Sequence, residues 1–299
     1  MTKNSVLKGV FFVGIGATSY GMLATFVKLA YQEGFTTPEV TVSQIVNGIL
    51  VLLLINAFQK IKKGKEVVKA SVKNIFHLIL AGTSIGFTSL FYYLSLNYIP
   101  VSIAIVLLMQ TVWMGVLFEM FLEKKKPSLQ KIIAVLIVLT GTVLATNLME
   151  STIKISWMGL LFGLLAAASF TATMIGANRV GLGISSIQRS LYMLIGGAIV
   201  VVLFAVFTQT TPFNFDVFLK WGIVLAFFGT IIPPLLFTSG FPLTGIGLGS
   251  IVSALELPVS VLMAYFILDE KVNAVQWLGI VLIILAVVLM NIKSKRFPK

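Results

Sequence analysis

The chain has 299 residues and a formal net charge of +12, yet only 11% of its residues are charged and 58% are hydrophobic. A soluble domain carries about 25% charged residues, so this composition, with a mean hydropathy of +1.03, excludes a protein whose only solvent is water. With no cysteine in the chain, disulfides, thiolate metal sites and cysteine nucleophiles are excluded too.

Apolar runs of about 20 residues recur along the whole chain, each long enough to cross a hydrocarbon core of about 30 Å as a helix. The first, 7–29, follows Lys3 and Lys8. It is superficially like a signal peptide, but the run is long and has no obvious cleavage site, so it is read as a span. The spans 40–58, 74–96, 100–121 and 129–148 follow, then 156–178, 187–208, 217–239, 246–267 and 273–292. Most breaks are polar or turn-rich, as in "EGFTTPE", "EKKKPS" and "LDEKVN". Three breaks, "LNYIPVS", "NRVGLGISS" and "SGFPLTGIG", carry few charges and are marked by Gly, Pro, Asn and Ser. Fusion across such a break gives the alternative count of eight or nine. With the N-terminus inside, every basic residue except Lys28, Lys154, Lys220 and Lys271 falls on the cytoplasmic side, as the positive-inside rule requires. This bias supports an all-α integral membrane protein of ten spans in an inner (plasma) membrane, with both termini cytoplasmic. The net charge then marks cytoplasmic loops rather than a nucleic-acid partner.

The two halves, 1–148 and 149–299, resemble each other. Gly9, Phe12, Ala17 and Ser19 align with Gly159, Phe162, Ala167 and Ser169, and Tyr20 aligns with Phe170. Leu108, Val112, Glu123 and Lys124 align with Leu255, Val259, Glu270 and Lys271. Five spans per half is an odd number, so the second half must sit inverted relative to the first. Inverted repeats are a common design of secondary transporters, with the substrate site near the midplane between halves.

The stretch "LELPVSVLMAYFILDEKVNAVQWLGIVLIILAVVLM" and its first-half counterpart "LMQTVWMGVLFEMFLEKKKPSLQKIIAVLIVLTGTVLA" resemble the EamA-type transporters of the drug/metabolite transporter superfamily. The resemblance covers nearly the whole chain. It implies a five-plus-five inverted repeat, alternating access and export of a small organic metabolite. The first half departs from the pattern, with Met109, Gln110 and Thr111 where Glu and Pro would stand.

Glu256 sits about ten residues from either end of its span. A charge at the centre of a spanning helix costs about 2.5–3.5 kcal/mol on insertion scales, so it should face the bundle interior. Pro258 removes a backbone donor two residues later and is expected to kink the helix. Two readings of Glu256 stand open: binding of substrate or a coupled proton in a central cavity, or a buried hydrogen bond holding spans together. Gln110 and Trp113 share a helix face at i and i+3. Asn47, Tyr20, Tyr92 and Tyr93 lie at similar depth and could share the cavity, Tyr93 the nearest of them to the outer interface. A mostly apolar pocket with a few directed polar groups would suit such a set. Lys28, near the outer end of the first span, reads as a snorkelling lysine or an outer gate. Pro233 and Pro234 should bend or locally unwind the eighth span, as a moving part or a fixed kink. Glu119 is placed near the inner interface beside Lys124–Lys126.

An intramembrane enzyme would need a nucleophile–base pair or metal ligands in mutual reach, and with one His and no Cys no such set is found. No cofactor is expected. The implied ligand is a small molecule, either an amino acid or related amine or an organic-cation drug. The chain is a monomer or a homodimer. A channel or a lipid scramblase is the other class to be discriminated.

Overall fold

Residues 3–63, 68, 70–96, 98–99, 101–146, 156–269 and 271–291 are described by the structure, a computed structural model. Eight of their helices are long and apolar enough to cross a membrane, at 4–32, 37–62, 72–95, 103–123, 157–179, 186–208, 218–244 and 246–267. These match eight of the expected spans. The other two expected spans are shorter apolar helices, Leu129–Ala145 and Ala274–Met290. The polar segment 147–155, Lys65, Lys69, Glu270 and the basic stretch 292–299 lie outside the described residues.

In chain order the helices are α1 (Lys3–Gln32), α2 (Thr37–Lys63), α3 (Val72–Leu96), α4 (Val101–Leu108), α5 (Thr111–Glu123), α6 (Leu129–Ala145), α7 (Trp157–Arg179) and α8 (Ser186–Thr208). Then follow α9 (Ile223–Ala226), α10 (Ile232–Thr244), α11 (Ile246–Ser253), α12 (Glu256–Ile267) and α13 (Ala274–Asn291). Two π-helical turns, Phe218–Gly222 and Phe227–Ile231, flank α9.

The fourth and ninth apolar runs are each broken in two, which the uninterrupted hydropathy does not reveal. In the ninth, Ala254 and Leu255 turn tightly, with their amides reaching the carbonyls of Ile251 (3.2 Å) and Val252 (3.1 Å). The chain then restarts as α12, with Pro258 in the first turn. A proline costs nothing there, because the first amides of a helix have no intrahelical acceptor. The expected kink is therefore a break and a restart. The fourth run breaks close to the matching place, between Leu108 and Thr111, without a proline. The Gln110 amide shortens its bond to Leu107 O (3.0 Å), and the Gln110 side chain donates instead to Val106 O (2.9 Å).

Pro233 and Pro234 open α10 directly after the second π-helical turn. A π-turn absorbs one extra residue and leaves carbonyls that need partners. Neighbouring helices supply them: Ser19 donates to Phe228 O (3.0 Å) and Asn47 to Phe218 O (2.9 Å).

Helices of the two halves interlock. α1 packs on α10, α11 and α12, and α7 packs on α3, α4 and α5. α3 also packs on α8, α2 on α8 and α9, and α6 on α13. Close approach depends on glycine. A Cβ on Gly82 would run into the backbone of Met193, and one on Gly141 would meet Gly279 O. Small residues at such crossings are the usual means of helix contact in lipid.

The turns fall at two ends. The first end carries 33–36, where Glu33 pairs with Lys220 (2.8 Å) and accepts from Trp221 Nε1 (2.8 Å). There too Glu39 and Thr36 form a reciprocal cap: Thr36 N donates to Glu39 Oε2 (2.8 Å), and Glu39 N to Thr36 Oγ1 (3.3 Å). The other Glu39 oxygen accepts from Asn214 N (2.7 Å) and Gln209 (3.1 Å). The second end carries 124–128 and 180–185. Arg189 lies here, but it is buried, at 3% exposure, rather than interfacial. Its guanidinium donates to the carbonyls of Val180 (2.8 Å), Thr238 (2.6 Å) and Ala177, tying the end of α7 to α10. Glu119 is also buried here. Its partners are Lys131, by ion pair, and Gly247 N (3.1 Å), not Lys124–Lys126. A carboxylate at the start of α11 complements the helix dipole.

Candidate functional site

The two helix breaks place the site. On the second-end side of them, α5 packs directly on α11. Gly115 lies against Ser250, whose hydroxyl donates to Val112 O (3.1 Å). On the first-end side, α4 and α12 both line a cavity of about 540 Å³. The two broken runs thus meet below the breaks and part above them.

Glu256 begins α12 at the deep end of this cavity. The close passage of α1 fixes its position, because Gly21 is pressed on the Glu256 carbonyl where any side chain would collide. Glu256 Oε2 is buried and has no hydrogen-bond partner among the described residues. A buried polar atom without a partner costs about 1–3 kcal/mol or more when charged, so a polar or cationic ligand here would relieve a cost already built in.

The walls are mainly apolar and aromatic. α1 gives Tyr20, Leu23, Val27 and Tyr31; α3 gives Tyr92 and Tyr93; α4 gives Ile105 and Leu108. Tyr20 stacks on Phe170 of α7, with centroids 6.2 Å apart, and Tyr92 meets Tyr93 edge to face at 6.0 Å. Tyr31 donates to Thr37 Oγ1 (3.1 Å). Two exposed lysines, Lys28 and Lys271, stand at the first-end rim. Just beyond the end of α1, the Glu33 carboxyl is held below the usual carboxylate range by the Lys220 ammonium and the Trp221 indole N–H. Tyr20, Thr88 and Ser89 also border a second, smaller cavity of about 50 Å³, which Pro233 and Pro234 help to line.

Of the residues singled out in the sequence, Glu256, Tyr20, Tyr92 and Lys28 are brought together in the large cavity. Gln110, Trp113 and Asn47 are not among its lining residues. Trp113, 37% exposed, turns back to donate to Gln110 Oε1 (2.8 Å). Both belong to the break in the fourth run. Asn47 serves the π-helical turn. Pro258 is buried in the first turn of α12. Tyr93, the lesser of the two tyrosine candidates of the third span, also lines the cavity, as do Tyr31 and Lys271, which were not singled out. The adjacent pair "YY" at 92–93 in an otherwise apolar run was the signal for both tyrosines of α3.

A family model described as the EamA-like transporter family matches the chain twice, at residues 7–147 and 157–292. Among solved structures, one described only as "Crystal structure of protein" is similar, with a TM-score of 0.76, 14% identity, and 96% of each chain covered. At that identity the likeness speaks for the fold alone. The comparison with curated proteins gave no match.

Proposed function

The chain belongs to the EamA-like transporter family, within the drug/metabolite transporter superfamily, and on that premise we propose that it is a secondary transporter of small organic metabolites. Amino acids or related amines are the favoured cargo, export the direction, and alternating access the mechanism. One observation carries the reading. A central carboxylate with an oxygen unpartnered among the described residues faces a cavity between two interlocked halves, and that cavity reaches one end of the bundle while α5 and α11 are joined at the other.

Alternating access would exchange these two contacts: α5 and α11 would separate, and α4 would close on α12. Glu256 sits at the level of the breaks, so it would meet whichever end is open. The two family-model matches support repeats over 1–148 and 149–299. The exchanged packing, α1 on α10 and α7 on α3, fits an inverted arrangement of ten spans in an inner (plasma) membrane, the termini cytoplasmic. In this reading Glu256 takes the substrate's ammonium or a coupled proton, Tyr20 and Tyr92 line its path, and Pro233 and Pro234 give α10 a bend at which it can move. The buried carboxylate among tyrosines also favours a second reading, efflux of organic-cation drugs by the same site.

Counterflow in liposomes tests the proposal. A panel of amino acids, amines and organic cations is first screened for compounds that raise the melting temperature of the purified protein, since a ligand of the folded state at a hundredfold excess over Kd stabilises it by about 2.7 kcal/mol. Unlabelled compound loaded inside should then accelerate uptake of the labelled compound, and Glu256→Gln should abolish this. Solute flux without such acceleration would identify a channel, and lipid movement without solute exchange a scramblase. Either would refute a carrier.

A further inference from the structure

We propose that the smaller cavity, beside the π-helical turn Phe227–Ile231, binds a sodium ion through uncharged oxygens of Thr41, Gln44, Thr88, Gly229 and Thr230. This is a second site, separate from Glu256, and it would exist whether or not the chain is a carrier.

The sequence dictates the first ligand. Pro233 and Pro234 carry no backbone N–H. They occupy the i+4 and i+5 positions of Gly229, the only ones that donate to its carbonyl in an α- or π-helical turn. Gly229 O therefore has no helical donor, and among the described residues no side chain donates to it. Its neighbour Phe228 O, by contrast, accepts from Ser19 (3.0 Å). Gly229 is buried and lines the cavity, where a carbonyl without a partner is costly. Gln44 of α2 lies against Gly229 and also lines the cavity. It is only 9% exposed, and its side-chain amide has no partner among the described residues. Thr230 ties the two elements together by donating to Gln44 O (3.0 Å).

The hydroxyls around this cavity present lone pairs and not hydrogens. Thr41 donates to Thr37 O (2.8 Å), Thr88 to Ser84 O (2.7 Å) and Thr230 to Gln44 O, and a hydroxyl has one hydrogen to give. The cavity is thus rich in acceptors, and a cation satisfies several of them at once. No Asp, Glu, His or Cys borders it, so it offers little to a transition metal or a divalent cation. Carbonyls freed by an interrupted membrane helix, joined by neighbouring oxygens, suit a hard monovalent ion. A space of about 50 Å³ takes such an ion with about one or two waters. Na+ fits it better than K+, which is larger and needs more oxygens. Tyr20, Thr88 and Ser89 border both cavities, so the ion would lie one wall away from the large one.

The purified full-length protein is melted in mixtures of NaCl and KCl at constant ionic strength, and bound radioactive sodium is counted per chain. The melting temperature should rise saturably with Na+ and not with K+, as binding approaches a single ion per chain. Gln44→Leu should melt without Na+ as the wild type does, because its amide has no protein partner to lose, yet its Na+ affinity should fall about tenfold or more. Thr88→Val should weaken Na+ binding by about the same factor, and Thr88→Ser should restore it. Glu256→Gln should still bind Na+. Equal shifts with Na+ and K+ would mark a cavity that holds only water. Unchanged binding in both Gln44→Leu and Thr88→Val would place the ion elsewhere, and loss of binding in Glu256→Gln would place it in the large cavity. Each of these results would overturn the proposal. If Thr88→Val does not fold, Gln44→Leu and the salt series decide.

Discussion

Replacing Glu119 by alanine should loosen the closed end of the bundle. Glu119 is 9% exposed and joins two halves, accepting from Gly247 N at the start of α11 while pairing with Lys131 of α6. A buried hydrogen bond to a charged group contributes about 1.5–3 kcal/mol. The ion pair adds less, because the Lys131 side chain keeps 23% of its surface in contact with solvent and exposed pairs contribute about 0–1 kcal/mol. About 2 kcal/mol therefore favours the joined over the separated arrangement of α5 and α11, which corresponds to a shift of about thirtyfold in population. The chain has no cysteine, so Val116→Cys places a single thiol on α5, at a position only 6% exposed. Its modification by a maleimide reports how often that end opens, provided opening and closing are fast relative to labelling. Glu119→Ala in this background should speed labelling about thirtyfold. Glu119→Gln keeps an acceptor for Gly247 N and should have a smaller effect. An unchanged labelling rate in Glu119→Ala, with the melting temperature lowered, would show that the residue supports the fold as a whole and does not hold that end shut.

Arg189→Met should lower stability by about 2 kcal/mol or more, because three buried carbonyls lose a charged donor together; chemical denaturation in detergent measures it. Gly82→Val should prevent α3 from seating on α8, where a Cβ meets the Met193 backbone, and should destabilise by several kcal/mol, about 2–4, read as loss of the monodisperse peak on gel filtration. Acid should loosen the first end. The Glu33 carboxyl is held below its unfolded value by Lys220 and Trp221, so its contribution is present above the unfolded value of about 4.3 and is lost as pH falls through the folded value. Melting temperature should fall with acid in the wild type in that window, and less steeply in Glu33→Gln.

The membrane class was plain from the apolar runs, because about 20 uncharged residues in sequence have few other physical outcomes. The breaks in the fourth and ninth runs were legible only in part. Pro258 announced one; the other depends on the Gln110 side chain satisfying a carbonyl of its own helix, and no residue type signals that. Glu256 was found because a carboxylate at mid-depth is costly wherever it points. Gln110 and Trp113 share a face as an i, i+3 pair but do not line the large cavity; when every face of a helix is apolar nothing in the spacing tells lipid from cavity. Tyr31 went unrecognised, and Tyr93 was given less weight, for the converse reason: tyrosine near a helix end is equally at home at a membrane interface.

The exchanged packing of the halves has a consequence for how the molecule is made. α3 finds α7 and α8 as its neighbours, and α1 finds α10, so the first half carries its contact surfaces into the membrane before their partners exist. At about 5–20 residues per second, roughly 6–20 s separate synthesis of the end of α3 from that of the end of α8. During that interval the glycine-lined face of α3 must be sheltered by lipid or by the insertion machinery. The order of synthesis therefore makes the first half a waiting intermediate, and its assembly is completed by helices that arrive last.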